Sequence, residues 1–206
     1  MVSPNSLDIS EAPGADLAAV LVHPHPGLGG DRFNHVIDAL YRGLPREGVT
    51  ALRFDLTSPD PGRAGQETLS AISAAPSTTV VPVGYSFGAD IGLGIHEDRV
   101  AGWVAIAPPL RFGHFDSAGA DPRPKLLLVP ERDQFTPPDV VREATGSWAA
   151  TEIVIIEGAD HFLLEGASRP ARRSEAAGPV LLEAVLAWLT DRSLLQARPP
   201  GSTMGG

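Results

Sequence analysis

The sequence predicts an α/β protein, a single domain built on a doubly wound, mostly parallel sheet. Short, nearly all-apolar runs alternate with longer amphipathic ones, the pattern of strands covered on both faces and linked by crossover helices. The chain has 206 residues, and at roughly 100 to 200 residues per domain that is one core. With 43% hydrophobic residues it has enough apolar mass to bury one.

Residues 1–14 contain no apolar run and are expected to fray, which leaves 15–192 as the domain. Strands are expected at Leu17–His23, Val49–Phe54, Thr79–Gly84, Val100–Ala107, Lys125–Pro130 and Thr151–Ile156. Helices are expected near Asp31–Leu44, Ala64–Ala74, Ser86–Ile95, Pro138–Ser147 and Glu175–Arg192. Right-handed crossovers then wind the sheet. In the last helix Val180, Leu181, Ala184, Val185, Trp188 and Leu189 recur at helical spacing and predict the buried stripe. The connection Pro108–Pro124, rich in Pro, Gly and Asp, is too short for a lid domain and reads as a surface loop. Residues 193–206, ending ARPPGSTMGG, read as a disordered tail.

Charge narrows the partners. Sixteen Lys and Arg against 25 Asp and Glu give a net charge of −9, which repels phosphate backbones, so no nucleic acid is expected. The one lysine, Lys125, follows no Gly-rich phosphate loop. Without cysteine there are no disulfides, thiolate nucleophiles or cysteine-held metals. No segment approaches the roughly 18 continuous apolar residues of a membrane helix, so a cytoplasmic protein without a membrane partner is expected.

The chemistry gathers after the predicted strands. Val80–Val83 runs into Gly84-Tyr85-Ser86-Phe87-Gly88 and then into a helical stretch. This G-x-S-x-G has the strand–turn–helix context that gives the motif meaning. Lifting a serine out on so sharp a turn brings strand and helix backbones together, and only glycines two residues on either side leave room. The first strand leads into His23-Pro24-His25-Pro26-Gly27-Leu28-Gly29-Gly30-Asp31. A Gly-rich turn there can aim a backbone N–H above Ser86 and, with the N–H of Phe87, form an oxyanion hole. Gly27 is the candidate donor, with Leu28 the alternative. A dinucleotide fingerprint fails because Arg32 stands where Gly or Ala is needed. His23 and His25 alone do not complete a metal site, and neither metal nor cofactor is expected.

A serine nucleophile needs a base, and the base needs an orienting carboxylate. Glu131-Arg132-Asp133-Gln134-Phe135-Thr136-Pro137 follows one strand, and Glu157-Gly158-Ala159-Asp160-His161-Phe162 follows the next. Only His161 comes after a strand in the right place. Its neighbour Asp160 diverges from it, whereas Asp133, on the adjacent loop, can reach it.

The order Ser86, Asp133, His161, the His-Pro-His-Pro loop, the Gly-Tyr-Ser-Phe-Gly turn and Gly-x-Asp-His together resemble the small, lidless α/β-hydrolases related to dienelactone hydrolase. The resemblance spans roughly Leu17–Leu189. It implies a minimal α/β-hydrolase fold with no cap, nucleophile Ser86, base His161, acid Asp133, and oxyanion donors Gly27 and Phe87. Pro130 stands where Gly is frequent before the acid loop, which leaves Glu131 as an alternative acid. Thr57-Ser58-Pro59-Asp60-Pro61 replaces a Gly-rich turn. The function so implied is hydrolysis of small carboxylic esters or lactones through an acyl-enzyme. The alternatives are a thioesterase, a peptidase or amidase on the same triad, or a non-catalytic binding module. The expected partner is a small-molecule ester, in a pocket drawn from Leu28, Arg111, Phe112 and Phe135, with Tyr85, Phe87 and Phe162 beside them.

Overall fold

The computed structural model describes residues 6–113, 115–163 and 177–195. Its strands are β1 (Leu7–Ser10), β2 (Leu17–Val22), β3 (Thr50–Phe54), β4 (Thr79–Tyr85), β5 (Trp103–Ile106), β6 (Lys125–Arg132) and β7 (Thr151–Asp160). Its helices are α1 (His35–Gly43), α2 (Pro61–Ala74), α3 (Phe87–Leu93), α4 (Asp116–Ala120), α5 (Pro138–Thr145) and α6 (Ala177–Asp191). The strands form one sheet in the order β1-β3-β2-β4-β5-β6-β7. Every pair is parallel except β1 with β3.

Alternation along the strands divides the core in two. Leu17, Ala19 and Leu21 of β2 face one side, where they join Ile37 and Leu40 of α1 and Leu181, Val185 and Trp188 of α6. Ala18, Val20 and Val22 face the other, with Ala64 and Ile72 of α2, Ile91 of α3 and Val141 of α5. Each fully buried branched side chain contributes roughly 1.5 to 3 kcal/mol, so the sheet is held from both faces. This is the doubly wound arrangement the alternating runs predict.

Local chemistry moves several boundaries. The first helix starts at His35 because the Asp31 carboxylate accepts the Phe33 N–H in a turn, while the Asn34 side chain caps by accepting the Val36 N–H. The second starts three residues early, with Asp60 capping Arg63 N–H and Pro61 at the first position. On α6 the buried arc is narrower than expected: Val180 is 49% exposed, outside the stripe of Leu181, Val185, Trp188 and Leu189.

Three expectations are corrected. Within the segment assigned to a frayed N-terminus, residues 7–10 form β1, registered Leu7 to Phe54 and Ser10 to Ala51. Asp8 there accepts from both Arg32 and Arg53, so polar residues that argued against a strand are what fasten it. The Pro108–Pro124 connection carries the short α4, where Gly119 packs so near Trp148 that a Cβ would crowd its indole. In the segment assigned to a tail, Leu194 and Leu195 pack against the core and donate their N–H groups to the Leu189 carbonyl. Residues 196–206, the start of the last predicted helix at 175–176 and His114 lie outside the described residues. No helix among the described residues is long and apolar enough to cross a membrane.

Candidate active site

Parallel strands deliver their following loops to one edge, the carboxyl ends, where the crevices of such sheets lie. The loops after β2, β4, β6 and β7 all arrive there. Ser86 follows β4 and caps α3 with φ 53° and ψ −120°, a left-handed conformation that costs a non-glycine residue roughly 1 to 3 kcal/mol. The turn is tight: a Cβ on Gly84 would collide with the Gly88 carbonyl, and one on Gly88 with the Val22 carbonyl. The two glycines are therefore steric requirements of the turn.

Ser86 Oγ lies 2.9 Å from His161 Nε2, and His161 Nδ1 lies 2.8 Å from Asp133 Oδ2. His161 and Asp133 are 6% and 3% exposed, so the pair interacts away from bulk water. The second oxygen of Asp133 accepts the N–H groups of Phe135 and Thr136, which fixes the carboxylate. Glu131 is placed elsewhere: it accepts the Gly158 N–H at 2.7 Å, bracing β6 to β7 beyond the register shift at Pro130. Of the two carboxylates left open by the sequence, Asp133 is the one on the imidazole.

The loop after β2 is a one-turn 3-10 helix, Pro26–Leu28. Leu28 N–H donates to the His25 carbonyl at 3.0 Å, and the Leu28 side chain is 86% exposed. Among the described residues no backbone acceptor takes the Gly27 N–H. His23 is buried, with Nδ1 2.6 Å from the Pro24 carbonyl and Nε2 accepting the Leu56 N–H at 2.8 Å. Both ring nitrogens are thereby engaged in bracing two loops. Burial lowers its pKa, against the pull of the Pro24 bond and nearby acids, and keeps the ring neutral.

The expected pocket aromatics form two groups. Phe112 packs edge-on against Phe87 at 5.3 Å and tilts toward His25 at 6.2 Å. Phe135 meets the His161 ring edge-on at 4.6 Å and Phe162 lies 5.7 Å from it, the two phenyls being 6.1 Å apart. Phe112, Phe135 and Phe162 are 39%, 46% and 48% exposed. Arg111 reaches across from the first group to the Phe135 carbonyl at 3.3 Å.

Three supporting residues escape sequence reasoning. The Tyr85 hydroxyl donates to the His161 carbonyl at 2.9 Å, and Gln134 Oε1 accepts the His161 N–H at 3.3 Å. Asp90, on the buried face of α3, accepts three successive N–H groups from 110–112. Each pairing joins segments at least 20 residues apart, and no local pattern announces it.

Comparison with known structures fixes the fold. A serine hydrolase homologue from Coxiella burnetii is 22% identical, covers 89% of this chain and 90% of its own, and superposes with a TM-score of 0.74. XC6422 from Xanthomonas campestris, described as an α/β serine hydrolase without a lid, is 21% identical over 94% of this chain and 91% of its own, with a TM-score of 0.73. This is the lidless α/β-hydrolase fold. No family model matches the chain. The uncharacterized protein RP471 from Rickettsia prowazekii is 29% identical, with 73% of each chain covered. In this α/β-hydrolase fold the Ser86, His161 and Asp133 geometry supports a mechanism of the serine-hydrolase type.

Proposed function

We propose that the chain hydrolyses small carboxylic esters or lactones through an acyl-enzyme on Ser86. The observation that carries the reading is the continuous hydrogen-bonded line from Ser86 Oγ through both ring nitrogens of His161 to Asp133. Ser86 Oγ attacks the substrate carbonyl carbon as its proton passes to His161 Nε2. Asp133, bonded at Nδ1, holds the imidazole with Nε2 free to accept and stabilises the cation that forms. The carbonyl oxygen becomes an oxyanion facing the N–H of Phe87, the first residue of α3 and so without an intrahelical acceptor. Gly27 is the second donor we assign, because the Leu28 N–H is already committed to His25. Collapse breaks the bond to the leaving oxygen, which takes the proton from His161. Water then attacks the acyl carbon with the same proton traffic, releasing the acid and restoring Ser86.

The likeness of the motifs to dienelactone hydrolases points to small esters and lactones. The half-exposed aromatic rings against Phe87 and His161 suit a modest apolar substituent, with Phe135 and Phe162 flanking the His161 side, where the leaving oxygen must lie. The test is hydrolysis of short p-nitrophenyl esters by the wild type and by Ser86→Ala. The wild type should turn them over, and the folded variant should lose on the order of 10⁶ in kcat. A folded variant retaining turnover within about tenfold of the wild type would remove the assignment.

A further inference from the structure

The carboxylate of Asp90 is 1% exposed and lies four residues beyond Ser86, yet it takes no part in the proton line. It accepts the N–H of Leu110 at 2.9 Å on one oxygen, and those of Arg111 and Phe112 at 2.7 and 2.9 Å on the other. Three successive amides converging on one buried carboxylate form a closed anchor for a loop that leaves the sheet after β5. Leu110 is held at φ 53°, a conformation a leucine adopts only where its surroundings compel it. The next residues place Phe112 edge-on against Phe87 and beside His25. Those are the neighbours of the two N–H groups assigned to the oxyanion.

We propose that Asp90 is the positioning residue for the acyl-side wall, holding residues 110–112 so that Phe112 bounds the space for the acyl group of the ester. The proposal rests on the hydrolase reading above. With the leaving oxygen at His161 Nε2 and the carbonyl oxygen at Phe87 N–H, the acyl substituent is left on the side of Phe112. A wall made of a half-exposed ring distinguishes longer apolar acyl chains from acetyl by contact area. Burial pushes the Asp90 carboxyl up to about 6 against its three donors, so at pH 8 it is ionised and accepting. Releasing the loop should therefore weaken binding of longer acyl chains and leave the Ser86 chemistry intact.

The experiment compares p-nitrophenyl acetate and hexanoate at pH 8 in the wild type, Asp90→Asn and Phe112→Ala, with amide hydrogen exchange of residues 110–112. Asparagine cannot accept on both side-chain ends, so the variant loses part of the anchor at almost unchanged volume. In Asp90→Asn, KM for hexanoate should rise about tenfold or more, with kcat for acetate within about threefold and fluorophosphonate labelling of Ser86 retained. The three amides should exchange at least about tenfold faster than in the wild type. Phe112→Ala should reproduce the KM change alone.

A folded Asp90→Asn with an unchanged hexanoate-to-acetate KM ratio overturns the proposal. An equal fall in kcat on both esters also overturns it, since Asp90 would then act on the nucleophile turn. Should Asp90→Asn not fold, an unchanged hexanoate KM in Phe112→Ala, or unprotected 110–112 amides in the wild type, overturns it independently. A wild type that neither hydrolyses esters nor labels fails the hydrolase reading itself, a result distinct from any of these.

Discussion

The hydroxyl of Tyr85 donates to the main-chain oxygen of His161 at 2.9 Å, so the residue before the proposed nucleophile also holds the backbone of the proposed base. Tyr85 is 3% exposed, and burial with two nearby carboxylates pushes its phenol well above the usual range, so the donor proton is always present. Tyr85→Phe should fold, cost about 1 to 2 kcal/mol in stability for the unsatisfied carbonyl, and lower kcat about tenfold with little change in KM. An unchanged kcat in urea-stable Tyr85→Phe would mean that Gln134 and Asp133 hold His161 without it.

The two carboxylates of the β6 loop should separate cleanly. Asp133→Asn leaves His161 with the wrong tautomer and should lower kcat by roughly 10⁴. Glu131→Gln keeps an acceptor for the Gly158 N–H and should change kcat by less than about threefold, at a cost of no more than about 1 kcal/mol in stability. Steady-state kinetics on one ester decides the pair, and reversed effects would move the acid to Glu131.

Gly88→Ala should be among the most damaging small substitutions in the molecule. Its Cβ would press on the carbonyl oxygens of Val22 and His23, both backbone atoms of β2 and its loop, which cannot rotate away. We expect a loss of about 3 kcal/mol or more in chemical denaturation, together with loss of activity. Gly65→Ala, on α2, where a Cβ meets nothing within 4 Å, should instead stabilise by several tenths of a kcal/mol.

His23 gives the chain a pH-dependent stability. Its folded pKa is lowered from 6.5 by burial, so the unfolded chain binds the proton more readily than the folded one. Stability contributed by the neutral ring is complete above about 6.5 and is lost as pH falls below it toward the folded pKa. His23→Gln, which offers an acceptor to the Leu56 N–H, should show a shallower fall over the same window in urea melts between pH 8 and 5. Parallel curves for the two proteins would show that His23 does not titrate differently on unfolding.

What could be read in advance follows the range of the interaction. The elbow at 84–88 was legible because sterics and chemistry are written within five residues, and β4 and α3 flank it as required. The fold class was legible because β2 and β4 to β6 are buried on both faces, which leaves a run of apolar residues. β1 was not, because an edge strand of four residues packs only Leu7 against the core and is secured by Asp8 on two distant arginines. The anchors of the site were equally hidden. Tyr85 reads only as a ring beside the pocket, with no sign of its bond to His161, and Asp90 is one polar residue in a helical run until the loop at 110–112 arrives from 20 residues away.

If Ser86 is the nucleophile, a covalent adduct must form there, and its position can be measured. The wild type is treated with a fluorophosphonate, digested, and mapped by mass spectrometry, beside folded Ser86→Ala. One phosphonylated site is expected, at Ser86 in the peptide containing Gly84-Tyr85-Ser86-Phe87-Gly88, with no adduct in the variant. A wild type that stays unmodified, or an adduct on another residue that persists in Ser86→Ala, would contradict it.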